Sequence, residues 1–419
     1  MEYNEHSLTL DSLISIFSFL SEDDLIRVSC VCKEWHEAAE TQWLWREMCL
    51  RRWGFCNVAQ LLSDTKSYTW KRYYLHRSSL ELNMKLGRSG GDYSCKSLRG
   101  HTGRIVGFSY LMGNSALHDM WNFTPIVCSA STDGTLKAWD IYKGVNLWSS
   151  SAQNPLTRIV TDPEQEVVVT SDSAGTINTW QGRTGELLSS FSSGSSQCTL
   201  MTFSTEGNSF VMVFSSPSVC SPVEDAEAVC VNLPISGCAA AVFFPSQPAR
   251  LAIVHKNTPF NQKSLSVFEF SLKKSRYKQE AQAREVESFQ LNLNTWHSDM
   301  VLQAKGSNMV LLTDGNDLNI YTVKGELISS FKEHLQPITS VCVDDFRVVT
   351  ASRDLSLRVL TWKKDGDKGL TLESQYNLLG GSHSMSRGFT AVACDYASIV
   401  ASVEAVNGKD ALKAYIFNS

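Results

Sequence analysis

Apolar residues recur along this 419-residue chain in two rhythms, one near the start and another over the rest. Over roughly the first fifty residues the spacing is helical. Leu13, Ile16, Phe17 and Leu20 fall at i, i+3, i+4 and i+7, one stripe of an amphipathic helix. Ser21 precedes Glu22, Asp23 and Asp24, acids that complement the dipole of a second helix, and Ser21 with Asp24 has capping-box spacing. That helix carries Leu25, Val28 and Cys32, and a third carries Trp35, Ala38, Ala39, Trp43, Leu44 and Trp45. Three helices over about 45 residues bury little surface by themselves. Spacing alone therefore leaves two readings, a cap on the domain behind or a module that docks on a partner.

Beyond residue 92 the rhythm is that of strands, and one phrase returns. Leu136-Lys137-Ala138-Trp139 is echoed by Ile177 to Trp180, Leu265 to Phe268, Leu318 to Tyr321, Leu357 to Leu360 and Leu412 to Tyr415, with a worn copy at Ala228 to Val231. Their ends lie about 37 to 55 residues apart, the period of propeller blades with loop insertions. The count is seven, with six or eight left open because blades three and four are weak. The last phrase ends close to residue 419, so the final blade lacks an outer strand, which Tyr93 to Leu98 can supply. Pairing the two ends would remove the open edges of the ring.

Between the two rhythms, residues 67–86 read as a helix anchored by Trp70, Tyr74, Leu80 and Leu82, ended by Gly87, Gly90 and Gly91. A packed helical linker holds two modules at a set distance, as a Gly/Ser tether does not. The charged stretch 273–287 reads as a loop or short helix protruding between strands.

Composition narrows the function. Hydrophobic content of 43% with 19% charged residues is that of an ordinary globular chain, and a net charge of −5 argues against nucleic acid or an anionic membrane as main partner. No apolar run approaches the roughly 20 residues of a membrane span, and Met1 to His6 lacks the basic start of a secretory signal. The twelve cysteines show no CxxC or Cys/His ligand spacing, which points to free thiols in a reducing cytoplasm or nucleus. No phosphate-cradling glycine loop, HExxH, GxSxG or kinase set is present. The expectation is a non-enzyme without metal or cofactor.

The order of residues adds a resemblance. Leu8, Leu13, Ile16-Phe17-Ser18-Phe19-Leu20, Asp24-Leu25, Val31-Cys32-Lys33-Glu34-Trp35 and Leu44-Trp45-Arg46 together resemble the F-box. The departure is Thr9, where that family usually has Pro; Thr9 can still serve as an N-cap. The resemblance implies that Leu8, Leu13, Ile16, Phe17, Leu20, Leu25, Val31, Cys32, Trp35, Leu44 and Trp45 bind a Skp-family adaptor, and through it a cullin and a RING subunit. Downstream, Gly100-His101, Asp133-Gly134 and Trp139-Asp140 resemble the WD repeat. In that family a His, an Asp, a hydroxyl and a Trp form a buried hydrogen-bonded chain. Here these are His101, Asp133 and Trp139 with Ser131 as the hydroxyl, and His334 and Asp354 in blade six, where Leu360 replaces the Trp.

The chain thus looks like an α+β multidomain protein of the F-box/WD-repeat family. Its expected parts are a three-helix F-box at 1–52, a helical linker at 53–92 and an all-β propeller at 93–419. The implied function is the substrate-recognition subunit of a cullin-RING ubiquitin ligase, whose protein substrate the sequence does not name. The alternative is a scaffold that uses the F-box-like helices for another protein contact. Arg353 matches a position at which phosphate-reading members of the family place an arginine, and Arg104, Arg158 and Arg387 are expected at the same entrance. Other family arginines correspond to Val106, Thr339 and Thr390 here, which argues against a doubly phosphorylated client.

Overall fold

In a computed structural model, residues 8–53, 69–111, 125–162, 166–192, 201–203, 211–214, 217–221, 229–235, 237–257, 262–274, 279–293, 296, 300–365, 369–381 and 384–418 are described. The chain divides into a helical unit ending at Met84 and a β unit that holds Lys85–Asn114 and Thr124–Ile416.

The helical unit contains α1 (Leu10–Phe17), α2 (Glu22–Val28), α3 (Lys33–Ala39), α4 (Gln42–Trp53) and most of α5 (Trp70–Leu86). Thr9 caps α1, its hydroxyl accepting from the Ser12 N–H at 3.3 Å, and Ser21 caps α2, accepting from the Asp24 N–H at 3.3 Å. The single third helix expected from the spacing is two helices. The indole of Trp45 donates to the carbonyl of Ala39 at 2.8 Å, so the chain turns at Glu40–Thr41 and buries that ring completely. Cys32 is not on α2 but in extended backbone, as N-cap of α3.

One apolar cluster joins all five helices: Leu13, Phe17, Leu25, Ala38, Ala39, Leu44, Trp45 and Met48 pack with Tyr73 and Tyr74 of α5. The core that three short helices lack is thus completed from α5. Of the anchors expected on α5, Leu82 faces solvent, and Tyr73, Arg77 and Met84 are buried instead. Arg52 ties the helices at their edge, pairing with Glu22 at 3.1 Å and Glu81 at 3.3 Å.

The β unit consists of four-stranded antiparallel sheets whose first strands adjoin in chain order, the last returning to the first. Blade one is Ile105–Tyr110, Ile126–Ser131, Leu136–Asp140 and Val145–Ser149. Blade two spans 156–192, blade four 240–290, blade five 302–331 and blade six 338–379. Blade seven is Ser386–Cys394, Ser398–Ala405 and Ala411–Phe417, with Tyr93–Leu98 hydrogen-bonded beside Ala411–Phe417 as its outer strand. Where the sequence predicts seven blades, described side chains define six. Strand pairing adds the sheet at 201–232, whose backbone alone is described.

The charged stretch 273–287 is mostly strand. Gln262–Lys274 and Gln279–Gln290 pair through Lys274 and Gln279 as a long ribbon, with Arg276, Tyr277 and Lys278 outside the described residues. Cys198 and Ala228 also lie outside them.

The polar chain in blade one is present with one exchange. Trp139 Nε1 donates to Ser129 Oγ at 2.8 Å, His101 Nε2 lies 2.8 Å from the same oxygen, and His101 Nδ1 lies 3.2 Å from Asp133 Oδ2. The hydroxyl is therefore Ser129, not Ser131. Trp139 pairs with Val127, so the diagonal residue within reach of its ring is Ser129. Ser131 instead accepts from the Asp133 N–H at the turn. Blade six keeps His334 against Asp354 (3.0 Å) and Thr350 (2.7 Å). Blade two, which lacks an acid at Ala174, uses Asp172, whose Oδ1 accepts from the N–H groups of Ala174 and Thr176.

Two predictions follow from this packing. Leu98 of the closing strand is buried with Trp139 and Leu412. Leu98→Ala should lower the unfolding free energy by about 2–5 kcal/mol in denaturant titrations; an unchanged midpoint would show that the strand contributes nothing. The second concerns pH. Burial depresses the pKa of His101 and His334, so below about 6.5 the unfolded chain gains protons that the folded one does not, and stability falls. Burial alone would raise the carboxyls of Asp133 and Asp354, but hydrogen bonds from Thr135 and Ser356 outweigh it and hold both below their usual range. These add a further loss below about pH 4. Melts at pH 7 and 5 should differ for the wild type and differ less for His101→Gln/His334→Gln; equal slopes would remove the histidines from the explanation.

Candidate functional site

Two surfaces carry chemistry, one in each unit. In the helical unit, the residues expected to meet an adaptor separate into two groups. Leu13, Phe17, Leu25, Leu44 and Trp45 are core, with Phe17 packed edge-on against Trp35 at 5.5 Å. The correction has a simple cause: a small bundle must use its apolar stripe to hold itself together before it can offer one to a partner. Leu20 and Trp35 are half-buried, while Leu8 (55% exposed), Ile16 (48%), Val31 (61%) and Cys32 stand in solvent. Phe19, 86% exposed, joins them although spacing did not single it out. Large apolar groups left outside a completed core are the usual mark of an interaction surface.

In the β unit, three of the four expected arginines meet on one carboxylate. Arg104 immediately precedes the first strand of blade one, Arg353 lies in the turn between the second and third strands of blade six, and Arg387 lies on the first strand of blade seven. Arg104 and Arg353 each donate through Nη1 to Glu404, and Arg387 approaches it at 3.7 Å. Arg158 lies elsewhere, exposed on the first strand of blade two.

Glu404 was not legible as a site residue, although it ends a strand, Ser398–Ala405, that is otherwise apolar or small and almost wholly buried. Its side chain is 9% exposed, against 47%, 41% and 54% for Arg104, Arg353 and Arg387. Burial alone would raise its pKa; hydrogen bonds from Arg104 and Arg353, with their charge, outweigh that and hold the carboxylate ionised below its ordinary range. Gly388 lets the strands close in here. Its φ is +136°, and a Cβ would stand 2.6 Å from the Arg353 Cα, so no other residue fits without moving the turn. Asp410 fixes the remaining side, accepting from the N–H groups of Ile105 and Ala405, each at 3.0 Å.

Asp354 and Arg353 are neighbours with opposite duties. Asp354 accepts from Leu335 N–H (3.0 Å) and Ser356 Oγ (2.6 Å) within blade six. Asp354→Ala should destabilise the chain by about 1–3 kcal/mol, whereas Arg353→Ala, removing one partly exposed ion pair, should cost no more than about 1 kcal/mol. Equal losses in denaturant melts would mean that Arg353 is structural.

Comparison with known proteins agrees with both units. Residues 10–51 match the F-box-like family. The chain is 25% identical to F-box/WD repeat-containing protein 12 of Homo sapiens, over 97% of this chain and 98% of that protein. It is 28% identical to F-box/WD repeat-containing protein 15 of Mus musculus, over 42% of this chain and 37% of that protein. The crystal structure of the WD40 beta propeller domain of Doa1 superposes with a TM-score of 0.54 at 10% identity, covering 78% of this chain and 97% of that one, a likeness of fold. An F-box-like domain followed by a β-propeller, with relatives named F-box/WD repeat-containing proteins along nearly the whole length, is consistent with the F-box/WD-repeat family.

Proposed function

We propose that this chain is the substrate receptor of a Skp-cullin-F-box ubiquitin ligase, working in the cytoplasm or nucleus. In this reading residues 1–52 bind the Skp-type adaptor, 53–92 buttress that module, and 93–419 form a seven-bladed platform that holds the protein client while other subunits catalyse transfer. The carrying observation is the solvent-exposed apolar set Leu8, Ile16, Phe19 and Val31 on a domain that matches the F-box-like family and has already completed its own core. No enzymatic family is matched, and the propeller's His–Asp pairs are tied into blade packing rather than facing a cleft.

The surface and core groups give separable tests. Ile16→Asp with Val31→Asp should abolish capture of a purified Skp-type adaptor in pull-downs while leaving the melting curve unchanged, because both side chains already face water. Phe17→Ala should instead lose about 3–5 kcal/mol of stability, as truncated core aromatics do. Wild-type adaptor capture by the double Asp variant would leave the scaffold reading in place.

A further inference from the structure

The rim around Glu404 has a defined charge and a defined surround. Three guanidinium groups face two carboxylates, Glu404 with its ion pairs and Asp410 with both oxygens on backbone N–H groups, which leaves one surplus positive charge. Each arginine reaches Glu404 through Nη1 and has further N–H donors on a half-exposed guanidinium. Because Glu404 holds arginines from three blades, they cannot fold away from one another, and less ordering remains to be done when a ligand arrives.

Apolar side chains stand beside this cluster. Leu335, 83% exposed, follows the backbone that donates to Asp354, next to Arg353. Met385 and Val406, 70% and 50% exposed, are joined by a hydrogen bond from the Val406 N–H to the Met385 carbonyl, two residues from Arg387 and Glu404. The β unit therefore presents cationic donors with apolar neighbours on the turns of blades six and seven.

Resting on the receptor reading, we propose that Arg104, Arg353 and Arg387, oriented by Glu404 and flanked by Leu335, Met385 and Val406, seat a client segment in which one Asp or Glu carboxylate lies between apolar residues. A single surplus charge matches a carboxylate. A phosphate carrying about two negative charges near neutral pH would be left partly uncompensated, and Glu404 would repel it. Glu404 is a positioning residue: it touches the arginines rather than the client, and it sets the charge of client that they accept.

The test uses the full chain and fluorescein-labelled decapeptides of one Leu/Met-rich sequence with Glu, Gln or phosphoserine at the centre, read by fluorescence anisotropy. The Glu peptide should bind about tenfold more tightly than the Gln peptide, as loss of charge-assisted hydrogen bonds requires, and at least as tightly as the phosphoserine peptide. Arg353→Ala and Arg387→Ala should each weaken the Glu peptide about tenfold. Glu404→Gln should move the preference toward phosphoserine, a change that mere loss of packing would not produce. Equal binding of Glu and Gln peptides, or a wild-type preference for phosphoserine, overturns the inference. Adaptor capture measured on the same preparation separates the two readings. Capture without Glu selectivity overturns the rim assignment alone, and Glu selectivity without capture overturns the receptor reading while upholding the rim.

Discussion

Each blade is a sheet with two apolar faces and only its neighbours to cover them, so the β unit depends on the ring closing. Ala130, Leu136 and Ala138 of blade one lie against Leu156 and Trp180 of blade two, and Leu311 and Leu318 of blade five against Ile338, Val341 and Leu360 of blade six. The join between blades seven and one is made in the same way, by Leu98, Trp139, Val400 and Leu412. A gap anywhere would leave one such face in water and one strand edge unpaired.

Closure also builds the rim. Arg104 and Glu404 are 300 residues apart in sequence and meet because the start of blade one is held to the end of blade seven by Asp410. Gly388 draws the first strand of blade seven onto the turn that carries Arg353. Backbone constraints thus place charges that the side chains, long and flexible by themselves, could not have aligned.

The sequence was most legible where a polar group has a fixed partner. His101, Asp133, Trp139, His334 and Asp354 could be found because their hydrogen bonds demand particular residue types at particular spacings. Ser129 was missed for Ser131 because both lie on one face of the strand, and only register decides which meets the indole. Asp172 was missed because the same turn can be held by an acid two residues earlier. In the helices, periodicity located Leu13, Ile16, Phe17 and Leu20 but could not say that Phe17 turns inward and Ile16 outward, since that depends on where α3 and α5 pack. The arginines were visible as candidates, but their common partner was not. A lone Glu at the end of a buried strand shows its role only once three blades are assembled around it.

The closing strand has a consequence for how the chain is made. Tyr93–Leu98 leaves the ribosome long before Ala411–Phe417, the strand it pairs with. At ~5–20 residues per second the wait is roughly 15 to 60 s. Throughout that time the first finished blades expose an apolar flank to the crowded cell. A nascent chain of this design therefore asks more of chaperones than its finished form would suggest. Translation rate and holdase supply, rather than the stability of the completed ring, set how much of it reaches the folded state.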